Sequence, residues 1–290
     1  MRRLIPLLLL VPLAAACSSS GAKKIVVQPA KTYKLADFEP AAPVSPRKPT
    51  TVAFAIDQPS GSPLTAYRTG AGPHTGVHLI IVREDLGLII HRHPPMQAGG
   101  RFAQRVVLPA PGRYRFIVDA YPLHGGPVPN IQLFKDVEVR GVPEPQPLGG
   151  YEPVQHLGGF TFSAPRRPHV KAIQASLMTV HVTNAAGKPA HFVPWDGALA
   201  HAIFFHVGTL DYFHTHVCAP RATGCASPLA GATVTGRSSA PGTLTIGVLL
   251  PAEGTWKLLL LAKPEGRLVT APYVLEAETG AGANQVQPDG

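Results

Sequence analysis

Two stretches decide the fold: VHLIIVREDLGLIIHRH at residues 77–93 and AHAIFFHVGTLDYFHTH at residues 200–216. Each reads as an apolar strand, a short turn and a returning strand, and each carries histidines at the same three places. His78, His91 and His93 follow the spacing His-x12-His-x-His, and so do His201, His214 and His216. Working outward, Gly61 and Pro63 precede the first triplet as Gly187 and Pro189 precede the second. Downstream, Leu108-Pro109-Ala110-Pro111-Gly112-Arg113-Tyr114 matches Leu250-Pro251-Ala252-Glu253-Gly254-Thr255-Trp256. Landmarks conserved in order on both sides of the histidines mark an internal duplication. The offset is 126 at the prolines, 123 at the histidines and 142 at the glycine of the Gly-x-aromatic turn, so the second copy carries an insertion between His216 and Gly254.

Both copies show the period-2 alternation of half-buried strands. Val52, Phe54 and Ile56 alternate with Ala53 and Ala55, and Tyr114, Phe116 and Val118 with Arg115 and Ile117. Val180 and Val182 flank His181, and Trp256, Leu258 and Leu260 flank Lys257. With 32 Pro and 29 Gly punctuating the chain, the fold class is all-β: two tandem immunoglobulin-like, or cupredoxin-like, β-sandwiches of roughly seven strands each. The expected organisation is a signal peptide at 1–17, a tether at 18–29, the first sandwich at 30–142, a Pro-rich linker at 143–149, the second sandwich at 150–278 and a disordered tail at 279–290.

The amino terminus points to export. Arg2 and Arg3 precede an apolar Leu4–Leu13, then Ala14, Ala15, Ala16 and Cys17. That order of charge, short apolar run and small residues reads as a signal peptide, and the run is too short to span a bilayer. It is similar to the lipobox of bacterial lipoproteins, which implies lipidation of Cys17, although Leu13 stands one position farther from the cysteine than is usual there. An ordinary secretory signal cut near Ala16 is the other reading. Outside the cytoplasm Cys218 and Cys225 are expected to form a disulfide within the inserted segment, stabilising that loop by on the order of 2 kcal/mol. The net charge of +9 is concentrated in the first half, where residues 18–150 carry 15 basic and 9 acidic side chains. It suits anionic lipid or cell-wall polymer; scattered basic residues and export argue against nucleic acid.

Pairing Val82 with Ile89 places Ile80 opposite His91 and His78 opposite His93, so that all three imidazoles share the face of Ile80 and Val82, expected to be the core face of the sandwich. The same register sets His201 opposite His216 and His214 opposite Ile203. Imidazoles about 5–7 Å apart at Cβ can converge on one ion with bonds near 2 Å. All-nitrogen ligation in an oxidising envelope favours copper, with zinc as the other candidate. A bland reading stands beside it: histidines at the end of a sandwich that merely hydrogen-bond loop carbonyls. Met96 offers a thioether but is expected to fill core space. Cys218 offers a thiolate but is expected in the disulfide. His181 and His206 alternate to the solvated face, while His74, His124 and His191 lie in turns within reach of a fourth-ligand role.

These histidine hairpins, each followed by the Pro-x-x-Gly-x-aromatic turn, resemble envelope domains of the YtkA-like and copper-resistance type over residues 50–140 and 175–277. The resemblance implies copper or heavy-metal handling without catalysis. No nucleophile elbow, phosphate loop, dinucleotide fingerprint or His-Glu-x-x-His occurs, so the chain is not expected to be an enzyme. The expected function is a membrane-anchored metal chaperone or sink; the alternative is a scaffold lipoprotein that recognises another envelope protein or polymer.

Overall fold

The computed structural model describes residues 32–68, 76–123, 130–222, 228–229, 232–233, 236–238 and 240–280. The signal peptide with Cys17, the tether, His74, His124, Cys225 and the tail from 281 onward lie outside the described residues. The first repeat contains β1 (Lys34–Glu39), β2 (Pro49–Asp57), β3 (Val77–Arg83), β4 (Ile89–Arg92), β5 (Phe102–Val107), β6 (Gly112–Ala120) and β7 (Ile131–Val139). They form two antiparallel sheets, β1-β2-β5 and β4-β3-β6-β7, the three-plus-four arrangement of an immunoglobulin-like sandwich.

The second repeat holds β8 (Val154–Leu157), β9 (Phe160–Ser163), β10 (Val170–Lys171), β11 (Ser176–Asn184), β12 (Ala200–His206), β13 (Tyr212–Cys218), β14 (Pro228–Leu229), β15 (Ala232–Thr233), β16 (Gly236–Arg237), β17 (Thr243–Val248), β18 (Gly254–Ala262) and β19 (Val269–Glu278). Its sheets are β17-β11-β9-β8 and β10-β19-β18-β12-β13-β16. The order β13-β12-β18-β19 reproduces β4-β3-β6-β7, so the duplication is a structural one. The inserted segment adds the β14–β15 hairpin and β16, which extends the sheet beside β13.

The shared turn motif has a physical reason. Tyr114 Oη donates to Ala110 O at 2.9 Å, and Trp256 Nε1 donates to Ala252 O at 3.0 Å. Each buried aromatic thereby finds a partner for its polar tip. The intervening Gly112 and Gly254 have φ of 125° and 111°, a region that strongly favours glycine.

Among the described residues the three largest apolar clusters divide between the repeats and their contact. Phe54, Leu79, Ile81, Phe116 and Val118 fill the first sandwich; Phe162, Val180, Phe204, Trp256 and Leu258 fill the second. The third joins Ile80, Val82 and Ile117 of the first repeat to Ile203, Phe205, Tyr212, Leu259 and Leu261 of the second. The sheets bearing β3 and β12 therefore pack on each other. The face of Ile80 and Val82, expected to be a sandwich core, is instead the contact between sandwiches. Every residue of β3 and of β13 is buried, because these strands have a packed layer on both sides. The linker is held against the first repeat, with Gln146 N donating to Asp85 Oδ2 at 2.7 Å and Arg83 Nη2 to Glu144 O at 3.3 Å. Among the described residues there is no α-helix, and none long and apolar enough to cross a membrane.

Candidate metal centre

The hairpin registers follow from the alternation. Ile80 faces His91 and Val82 faces Ile89 across β3 and β4, while His201 faces His216 and Ile203 faces His214 across β12 and β13. At the contact between the sandwiches, the polar end of each apolar face meets the other. All six expected histidines converge there, and His78, His91, His201, His214 and His216 are 0–6% exposed.

Ring centroids, though not ring planes, follow an approximate local twofold relation between the triplets, since His78 and His91 stand at 82° but His201 and His214 at 28°. His78 to His214 and His201 to His91 are both 4.8 Å between centroids; His78 to His216 is 5.9 Å and His201 to His93 is 6.1 Å. Within the repeats, His78 to His91 and His201 to His214 are both 5.5 Å. The axis passes between His91 and His214, whose rings stand 5.3 Å apart.

Nitrogen atoms come closer still. His78 Nδ1 lies 3.1 Å from His214 Nδ1, His201 Nδ1 lies 3.2 Å from His214 Nε2, and His91 Nε2 lies 3.1 Å from His93 Nε2. His201 Nε2 is 3.0 Å from Trp195 O. A carbonyl only accepts, so His201 Nε2 carries the proton and, in the neutral ring, Nδ1 accepts. His214 Nε2–H then donates to it, which leaves His214 Nδ1 to accept from His78. Three sets have ligand atoms within 4.8 Å of one another: His78/His91/His93, His78/His214/His216 and His91/His201/His214. Two of the three draw on both repeats.

Burial is the first cause that holds His91 and His214 well below the ordinary imidazole range, and the neighbouring imidazoles add to it. Both are therefore neutral at pH 7, the form that ligates. Among the described residues His91 Nδ1 is buried with no hydrogen-bond partner, an expensive condition for a polar atom. Two carboxylates border the cluster: Asp119 Oδ2 is 3.9 Å from His78 Nδ1, and Asp196 Oδ2 is 4.0 Å from His93 Nε2. Asp119 also accepts from Asn130 Nδ2 at 2.7 Å and from Tyr212 Oη at 3.4 Å across the contact. Burial pushes its carboxyl up to about 6 despite those bonds.

Sequence reading missed Asp119, Asp196 and Trp195. A lone acid inside the apolar run of β6 was the available signal for the first, whereas nothing in the loop before β12 announced the others. Met96 is 43% exposed, which corrects its expected place in the core. His206 is half-buried rather than solvated: its Nε2 donates to Glu253 O at 3.1 Å and its ring packs on Trp256. His181 and His191 are exposed. Cys218 is buried at the end of β13, and its expected partner Cys225 lies outside the described residues.

Residues 155–279, within the second repeat, match the family model described as a domain of unknown function (DUF8832). No curated protein matches the chain. Among solved structures, it is similar to FdeC, an Escherichia coli adhesin, at 13% identity and a TM-score of 0.25, covering 86% of this chain and 64% of that one. It is also similar to fibronectin(III)-like modules of Clostridium thermocellum CbhA at 11% identity and a TM-score of 0.23, covering 86% and 95%. Invasin, a bacterial integrin-binding protein, matches at 13% and 0.24, covering 86% and 39%. Overlap this low says nothing of ligand, activity or partner.

Proposed function

We propose that this protein is an exported, lipid-anchored envelope lipoprotein that holds a transition metal, copper in preference to zinc, between its two sandwiches as a chaperone or sink, without catalysing a reaction. The observation that carries the reading is the convergence of His78, His91, His93, His201, His214 and His216 from separate repeats into one buried cluster. Nitrogen pairs at 3.1–3.2 Å approach the spacing of about 3.3 Å that two ligands adopt on a tetrahedral ion with 2.0–2.1 Å bonds. The Trp195 carbonyl fixes His201 through Nε2 and turns Nδ1 inward, the outer-shell pattern of metal-ligating histidines. Closure on all sides suits storage better than turnover, because catalytic metal sites keep an open position. The resemblance to copper-resistance domains points the same way, and Arg2, Arg3 and the run to Cys17 support export and tethering.

The test is metal retention. Purified chain, stripped with chelator and dialysed against Cu(II) or Zn(II), is expected to keep tightly bound metal on elemental analysis. Retention of neither ion would overturn the reading and favour a scaffold lipoprotein. Cys17→Ala is expected to move the protein from the membrane fraction to the soluble one.

A further inference from the structure

The shared imidazole of His214 carries the reading further. Its Nδ1 faces His78 Nδ1 at 3.1 Å and its Nε2 faces His201 Nδ1 at 3.2 Å. His214 also belongs to two of the three ligand sets, His78/His214/His216 and His91/His201/His214, which otherwise have no member in common. Six imidazoles exceed the four-coordinate shell that zinc prefers, and the local twofold relation divides them about the His91–His214 pair. A carboxylate stands on each side, Asp119 beside His78 and Asp196 beside His93.

Resting on the metal-binding reading above, we infer that the cluster is a dinuclear centre in which His214 bridges two ions, one held with His78 and His216 and the other with His91 and His201. His93, whose Nε2 is 3.1 Å from that of His91, is placed to complete the donor set of the second ion. Binding of the first ion between His78 Nδ1 and His214 Nδ1 moves the His78 ring proton to its Nε2, leaving that ring neutral, and binding of the second between His214 Nε2 and His201 Nδ1 displaces the single His214 proton to solvent, leaving a bridging imidazolate. With bonds of about 2 Å on each ring nitrogen, the ions stand about 6 Å apart. Two dications, one imidazolate and two carboxylates leave little net charge in the buried site.

The experiment is a Cu(II) titration of the full chain followed by elemental analysis and low-temperature EPR. The expected result is two copper ions per chain, with the integrated signal rising to the first equivalent and falling toward zero at the second, as an imidazolate couples the two spins. Acid unfolding in air should restore the signal of both ions, showing that the loss was coupling and not reduction. Zn(II) should bind with the same stoichiometry, and His214→Ala, if it folds, should abolish the signal loss. One ion per chain overturns the dinuclear centre while leaving the proposed function standing. Two ions with full, additive signals overturn the bridge. No retained metal overturns the proposed function and this inference together.

Discussion

In the first repeat His78 lies across the β3–β6 ladder from Asp119, whereas in the second His201 lies across the β12–β18 ladder from Leu261. The second repeat makes up the difference with a backbone carbonyl, that of Trp195, on His201 Nε2. Duplicated triplets thus keep their histidines while diverging in what orients and charges them. On the metal-binding reading, these outer partners would orient the rings and tune affinity differently in the two copies.

The largest effect should come from the pair on the local axis. A structural zinc site of four ligands contributes about 10–16 kcal/mol, so one ligand is worth roughly 3–4 kcal/mol, a few hundredfold in affinity. His91→Ala and His214→Ala should each lose that much in isothermal titration, while Arg92→Ala, exposed on the other face of β4, should stay within about twofold. Equal losses in the Arg92 variant would break the assignment of faces. Thr215, the corresponding control in the second repeat, is buried and so does not serve.

Asp119→Leu makes the first repeat resemble the second and should act in opposite directions with and without metal. The folded-state pKa of Asp119 is raised from 3.8 to about 6, so its protonated form stabilises the fold at low pH, and that contribution disappears as pH rises through about 6. Above that pH the buried carboxylate costs at most about 3 kcal/mol, from 1.36 kcal/mol per unit. Chemical denaturation of metal-free protein at pH 7.5 should therefore show the variant more stable by about 1–3 kcal/mol, whereas its metal affinity should fall about tenfold. A variant less stable without metal would mean that the Asn130 and Tyr212 bonds outweigh burial.

Acid should weaken the metal-free contact between the repeats. The pKa values of His91 and His214 are depressed in the fold, so the unfolded chain takes up protons first. The contribution of these two histidines is full above about 6.5 and declines as pH falls below it, outweighing the opposite and smaller contribution of Asp119. Thermal melting from pH 8 to 5 should show a falling midpoint, and in His91→Ala a shallower slope. A midpoint that rises with acid would contradict burial of the neutral rings. The smallest effect is expected from Met96→Leu, which should leave metal affinity unchanged.

Much of this was legible in the chain. The spacing of the histidines, the turn at Asp85-Leu86-Gly87 and the period-2 alternation determine which side chains share a face, and the hairpin pairings agree. What alternation does not say is what covers that face. Leu79 and Ile81 line the first sandwich while Ile80 and Val82 meet the second repeat, yet all four are apolar. The unbroken run at 79–82 was the clue, since a strand buried on both faces loses its alternation. Met96 misled because its residue type suits a core, but it lies outside β4, pairs with Phe102 in an isolated bridge and is exposed.

The central claim, that both repeats build one site, is tested most directly by removing the ligands of one repeat alone. The chain carrying His201→Ala, His214→Ala and His216→Ala, checked for retained β-structure by circular dichroism, is titrated with Cu(II). The account predicts that no site of wild-type affinity survives, because His78, His91 and His93 then lack their partners across the contact. Half the wild-type stoichiometry at undiminished affinity would contradict it and return the histidines to two independent sites.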